Sequence, residues 1–130
     1  MNHSIDNPFL EWLGVQLTEW SPTEVQMTLQ SSPHLGNRTG RVQGGVLCTL
    51  LDATAGYAGL YSPDGQAPLQ SLTLSLTTNF IASGEGDVLV AKGFVERKGK
   101  GIYFSRSEVW LDSRILLATA IGTFKFVRTG

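Results

Sequence analysis

The residues able to do chemistry in this 130-residue chain concentrate between Asn37 and Leu60. A polar segment with Arg38 and Arg41 leads through Gly44-Gly45 into an apolar run that holds one charge, Asp52. Paired glycines let a backbone approach a ligand closely, and the first turn of a helix leaves amide N–H groups without partners. A helix beginning near Gly44 therefore offers donors and a partial positive charge to an oxyanion or anion. Asp52 poses a separate problem. An unpaired carboxylate is costly to bury, so one placed two turns into an oily segment needs a partner or a wet cleft. The plainer readings are that Asp52 caps a second helix over Ala53–Leu60 and that the glycines only permit close packing.

The flanking pattern supplies the elements that would hold these groups. Ser4–Leu13 has Phe9, Leu10 and Leu13 at helical spacing beside Trp12, with Gly14 as a stop, which predicts a short helix covering an edge or end of the fold. Val15–Gln30 alternates apolar and polar residues around Ser21-Pro22, as a hairpin does. The polar loop Ser31–Arg41 follows, and the helix is expected to run to about Leu60. Ser62-Pro63-Asp64-Gly65 is a turn signal. Beyond it, Ser71, Thr73, Ser75 and Thr77 interleave with Leu72, Leu74 and Leu76 in a strand from about Leu69 to Ile81. Strands over Val88–Glu96, Ile102–Leu111 and Ile115–Val127 complete a meander through Lys98-Gly99-Lys100-Gly101 and Asp112-Ser113. The expected fold class is α+β, a long central helix wrapped by an antiparallel sheet of five to six strands. Val46, Leu47, Leu50, Leu51, Ala55, Tyr57 and Ala58 point in most directions around that helix, more than one sheet should cover, so a homo-oligomer is expected.

Composition narrows the setting. With 42% hydrophobic and 16% charged residues the chain reads as one folded, soluble domain over residues 1–130. A net charge of −1 gives no global pull toward nucleic acid or an anionic membrane, so neither is an expected partner. Cys48, the one cysteine, is expected to be a small buried thiol. The N-terminus lacks a basic segment followed by an apolar run, and the run after Gly45 is too short and too interrupted to span a bilayer. A cytoplasmic location is the expectation.

The string Asn37-Arg38-Thr39-Gly40-Arg41-Val42-Gln43-Gly44-Gly45, with Asp52 following in a helix and a meander after it, resembles the hotdog-fold acyl-coenzyme A thioesterases of the phenylacetic-acid-degradation type. The similarity runs from about Leu10 to Val127. The resemblance implies hydrolysis of acyl-coenzyme A, with no cofactor apart from the coenzyme A of the substrate. It also implies a homodimer or a homotetramer built as a dimer of dimers, with sites shared between subunits. Thr73 matches a Ser/Thr that assists catalysis in that family. One position departs: Gln43 stands where the family usually carries His. Glutamine keeps hydrogen-bonding capacity but cannot carry a proton at neutral pH. That departure admits a non-catalytic acyl-thioester binding protein. A hotdog hydratase or dehydratase is disfavoured, because it needs a His paired with the carboxylate and His34 lies beyond a Gly-containing loop.

Thioester hydrolysis needs a donor to polarise the carbonyl and a carboxylate to attack it or to activate water. The Gly44 amide, next to Gly45, suits the first need, and Asp52 suits the second. The rise of the helix separates the two by about 12 Å, too far to share one carbonyl carbon. Asp52 is therefore expected to act with Gly44 of a neighbouring subunit. Asn37 and Gln43 are candidates to hold the water or the thioester oxygen, and Thr73 to bond Asp52 or that water. Arg38, Arg41, Arg97, Lys98, Lys100 and Arg106 are candidates for the phosphates of coenzyme A.

Overall fold

The structure, a computed structural model, describes residues 5–63, 66 and 69–127. Helix α1 (Pro8–Leu13) begins where Asn7 Oδ1 accepts from the Leu10 amide and ends at Gly14, whose φ of 94° is the left-handed stop that glycine provides. It starts later than Ser4, which lies outside the described residues. Strands β1 (Gln16–Trp20) and β2 (Glu24–Gln30) form the expected hairpin. After a short 3-10 turn at Pro33–Leu35 comes helix α2 (Gly44–Tyr57), then strands β3 (Gln70–Phe80), β4 (Val88–Lys98), β5 (Ile102–Leu111) and β6 (Ile115–Val127). Asp64 and Gly65 of the expected turn lie outside the described residues. The strands make one antiparallel sheet in the order β1-β2-β4-β5-β6-β3, wrapped around α2 in the expected hotdog arrangement. The Asp112-Ser113 turn takes positive φ at both residues, as a tight hairpin between right-twisted strands requires.

One alternative reading of α2 falls and two expectations are corrected. The helix runs unbroken through Asp52, which rules out a cap on a second helix. It stops at Tyr57 rather than Leu60, and its tail tightens through Gly59 N–H to Gly56 O and Leu60 N–H to Tyr57 O bonds. Its apolar residues also do not outrun one sheet. The sheet curves enough for β2 through β6 all to contact α2, so Leu47, Leu50, Leu51, Ala55 and Ala58 are buried within the protomer. The face left open consists of small and polar residues: Gly45, Cys48, Thr49, Asp52 and Ala53. Cys48 is accordingly half-buried rather than buried.

The sheet approaches α2 closely because β4 carries Gly93 where a side chain would collide with the Thr54 carbonyl. From β5, the Ser107 hydroxyl donates to the Leu51 carbonyl at 2.9 Å and the Tyr103 hydroxyl to the Gly56 carbonyl at 2.6 Å. Strand β3 does not keep the strict alternation read from its sequence. Thr73 lies opposite Phe124, but the register shifts before Ser75, and Leu76 then lies opposite Gly122. The bulge turns the strand over, so Ser71 and Thr73 face the helix at one end while Leu76 joins the core beyond it. Trp20 packs tilted against the Tyr57 ring and donates its indole N–H to the Tyr57 carbonyl at 2.8 Å. Trp12, on α1, is 78% exposed.

Candidate active site

Asp52 sits on the open face of α2, where the spacing of helical residues puts it beside Thr49 and Gly56. Its Oδ1 accepts from Thr73 Oγ1 at 2.8 Å. The carboxylate so held faces a cleft of ≈ 290 Å³ lined by Asn7, Phe9, Thr49, Tyr57, Ser71 and Phe124 among others. The partner and the wet cleft that a charge on an apolar helix requires are thus both present. Thr73 reaches Asp52 because the β3 bulge comes after it and leaves its side chain on the helix side.

The start of α2 is a second group of candidates. Gln43 occupies the N-cap position without making a side-chain capping bond, and the Val46 and Leu47 amides turn back to its carbonyl. The Gly44 and Gly45 amides precede these, in the first-turn positions that have no intrahelical acceptor. Nothing among the described residues of the protomer demands glycine at either site. A Cβ on Gly44 would meet the Phe80 ring at 3.5 Å, an ordinary contact, and one on Gly45 would meet nothing within 4 Å. Asn37 organises the loop leading here: its Oδ1 accepts from the Thr39 amide and hydroxyl and from the Arg41 amide. Only the Asn37 NH₂ is left to engage anything else. Asn37, Gln43, Gly44 and Gly45 do not line the Asp52 cleft, so within one protomer the sequence candidates fall into two groups, Asp52 with Thr73 and the helix start with its loop.

The basic candidates are scattered. Arg41 donates through Nε to Ser83 Oγ and through Nη1 to Thr39 Oγ1, beside the helix start, where Arg38 is exposed. Lys98 and Lys100 border a separate hollow of ≈ 610 Å³ with Gln70 and Phe126, and Arg97 is exposed on the same hairpin. Arg106 lies apart from both groups. It lies on the outer face of the sheet, its guanidinium 4.2 Å from the centre of the Phe94 ring, because outward positions on β5 alternate with the helix-facing Ser105 and Ser107. His34 is exposed beside Ser32 and takes no part in the cleft. The sequence reading missed Asn7 and Phe9, which α1 brings over the cleft, and missed Ser71, whose signal was its place two residues before Thr73 on the same strand face.

A charge shift elsewhere is structural. Two backbone N–H bonds, from Val88 and Asp87, hold the Asp112 carboxyl below the usual carboxylate range and pin the β5–β6 turn to the start of β4. Among the described residues no group of His, Cys, Asp and Glu is arranged to hold a metal, and no helix is long and apolar enough to cross a membrane.

Comparison with known proteins agrees with this architecture. A conserved protein of Pseudomonas aeruginosa superposes with a TM-score of 0.82 at 26% identity, covering 93% of this chain and 94% of that one. The PaaI protein of the E. coli phenylacetic acid degradation operon superposes with a TM-score of 0.82 at 20% identity, covering 95% and 86%. A Bacillus halodurans protein crystallised with CoA gives 0.82 at 22% identity, covering 98% and 83%. No curated protein matches the sequence. The family model of the Thioesterase superfamily matches residues 39–118, which span the helix-start loop, Asp52, Thr73 and most of the sheet, and the chain belongs to that superfamily.

Proposed function

We propose that this protein hydrolyses acyl-coenzyme A thioesters in the manner of the phenylacetic-acid-degradation type, at a site shared by two subunits. One observation carries the reading: a mid-helix carboxylate, oriented by Thr73, faces a cleft of ≈ 290 Å³ and has no basic partner among the described residues. In this reading Asp52 is the general base or the nucleophile. As a base it takes a proton from water while the oxygen attacks the thioester carbon; the C–S bond then breaks, and the proton passes to the departing thiolate. Thr73 holds one oxygen of Asp52 and leaves the other for water. The negative charge that develops on the carbonyl oxygen meets the Gly44 amide of a second copy, at the positive end of its α2.

Three features support the second copy. The open face of α2 is lined with small residues that let another helix approach. The glycines at its start are unexplained within the protomer. Strand β3 is a long edge strand with Leu72 and Leu74 exposed, a surface that isolated proteins usually protect. Arg38 and Arg41 near the helix start, or Lys98 and Lys100 at the β4–β5 hairpin, would meet the phosphates of coenzyme A. Gln43, in the place of the family's His, supports a second reading, in which the cleft binds acyl thioesters without cleaving them. Thiol release from short-chain, long-chain and aryl coenzyme A esters separates the two. Hydrolysis predicts turnover that Asp52→Asn lowers by about 10²–10⁴-fold while sedimentation shows an unchanged oligomer. An Asp52→Asn variant with wild-type turnover excludes the mechanism, and binding without thiol release from any ester favours the second reading.

A further inference from the structure

The polar side chains that line the Asp52 cleft are Asn7, Thr49, Tyr57, Ser71, Thr73 and Asp52 itself, and all but Asn7 have no proton to offer it. Asp52, as a carboxylate, only accepts. Thr49 donates to the Gly45 carbonyl at 2.9 Å, Tyr57 to the Asp6 carboxylate at 3.0 Å, and Thr73 to Asp52 at 2.8 Å. Ser71 is decided through Tyr103, whose oxygen lies 2.6 Å from the Gly56 carbonyl and 2.8 Å from Ser71 Oγ. A carbonyl oxygen can only accept, so the phenolic proton points at Gly56, and Ser71 spends its own proton on the phenolic oxygen. Asn7 is the opposite case. Its Oδ1 caps α1 by accepting from the Leu10 amide at 3.1 Å, which fixes the orientation of the side-chain amide and leaves the NH₂ group facing away from the helix. One N–H serves the Tyr57 oxygen: burial and the Asp6 carboxylate push that phenol up to about 12, against a hydrogen bond from Asn7 that pulls it down. The second N–H has no acceptor among the described residues and lies at the cleft wall.

We propose that Asn7 is a further catalytic residue, whose free N–H holds the attacking water on Asp52, and that Tyr57 is the residue that positions it. The proposal rests on the reading of this cleft as the hydrolytic site. A water molecule has two hydrogens and two lone pairs. The Asp52 oxygen not bonded to Thr73 and a lone pair of Ser71 offer acceptors for the two hydrogens, and Asn7 offers a donor for one lone pair. The other lone pair is then free to bond the thioester carbon, as attack requires. The step keeps its balance: the C–O bond forms while Asp52 takes the water proton, the C–S bond breaks, and the proton passes to the departing thiolate. A thioester carbonyl in the place of the water would use the donor and leave both acceptors unmatched, so the set of partners favours water. Asn37 and Gln43 do not line this cleft and stand with the helix start, on the side assigned to the thioester oxygen. The role also accounts for the anchoring of α1, which buried Leu10 and the bond from Tyr57 to Asp6 hold over the cleft.

The test uses variants that keep the helix cap and remove the donor. Serine and aspartate cap helices as asparagine does, so Asn7→Ser and Asn7→Asp should leave α1 in place and melt close to the wild type. With the ester that the wild type cleaves best in the coenzyme A panel, each is expected to lower kcat by about tenfold, the upper worth of one hydrogen bond, with KM unchanged because water is not the varied substrate. Tyr57→Phe, which removes the hydroxyl that steadies the Asn7 amide, should lower kcat by about threefold, again at constant KM. An Asn7→Ser variant with wild-type kcat overturns the proposal. So does a raised KM at constant kcat, which an amide of the coenzyme A arm bound at Asn7 would give. Should both Asn7 variants melt well below the wild type, the residue is structural and the proposal fails. A wild type that cleaves no ester ends the hydrolytic reading and this role together, whereas an active wild type with unaffected Asn7 variants ends the role alone.

Discussion

Gly93 and Gly44 are both glycines beside α2, and they are there for different reasons. At Gly93 the protomer itself excludes any side chain, since β4 passes so near the helix that a Cβ would strike the Thr54 carbonyl. At Gly44 the protomer would accept one, with only the Phe80 ring at 3.5 Å. The sheet-facing side of α2 is thus explained from within: leucines buried against β2 through β6, and hydroxyls of Ser107 and Tyr103 on the carbonyls of Leu51 and Gly56. The open side holds Gly45, Thr49 and Asp52; Thr49 bonds the Gly45 carbonyl and Asp52 accepts from Thr73, but none of the three belongs to the buried core. In the proposed reading, packing and chemistry are segregated onto opposite faces of one helix.

Substitutions can sharpen or break that contrast. The largest effect is expected for Gly93→Ala, which should destabilise the protein by about 3 kcal/mol, at the top of the range for overpacking, measured by urea unfolding. A stability near wild type would mean that the sheet can back away from α2. Gly44→Ala should do the opposite: stability unchanged or raised by about 0.5–1 kcal/mol, as for alanine replacing glycine in a helix, with thiol release reduced by about 10²-fold through misplacement of the reacting groups. Full activity in that variant would put the helix start outside the site. Ser105, between Tyr103 and Ser107 on β5, is an exception within the well-explained face, because its buried hydroxyl has no partner among the described residues. Ser105→Ala is therefore expected to stabilise by about 1 kcal/mol, the cost of desolvating an unpaired polar group; a loss of similar size would point to a buried water there.

Alkaline pH gives the mildest test. Burial, with the Asp6 hydrogen bond and negative charge adding, pushes Tyr57 up to about 12, and Tyr103 lies equally high, each from an ordinary value of 10.0. Below pH 10 both states keep these protons and stability is unaffected. Above it the unfolded chain releases them while the folded chain does not, so stability should fall as pH rises from about 10 through 12. Urea midpoints across that interval should decline less steeply in Tyr103→Phe than in the wild type.

Much of this was legible in the sequence. The alternation of β1, β2 and β4 through β6, the turns at Lys98-Gly99-Lys100-Gly101 and Asp112-Ser113, and the long helix after Gly44-Gly45 follow from local periodicity and turn chemistry, which act over a few residues. The pairing of Asp52 with Thr73 was open to the sequence as one of two roles for Thr73, and the structure provides the bond. Contacts that join residues far apart in the chain were less accessible. Ser71 and Tyr103 are an example, because which of two hydroxyls donates depends on a helix carbonyl that neither residue's neighbours announce. The face that Arg106 takes was out of reach for a related reason: a basic residue on a strand has equal prospects of facing in or out until the register is known.

By itself, then, the amino-acid order determined the elements and their turns, the one carboxylate on the helix, and the glycines at its start. The tertiary structure decided the curvature that lets one sheet bury the apolar side of α2, and the β3 bulge that turns Leu76 into the core while leaving Thr73 on Asp52. Periodicity along the chain fixes which residues share a face. Only packing against the rest of the molecule selects which face is buried, where a strand must slip by one residue, and which hydroxyl gives up its proton.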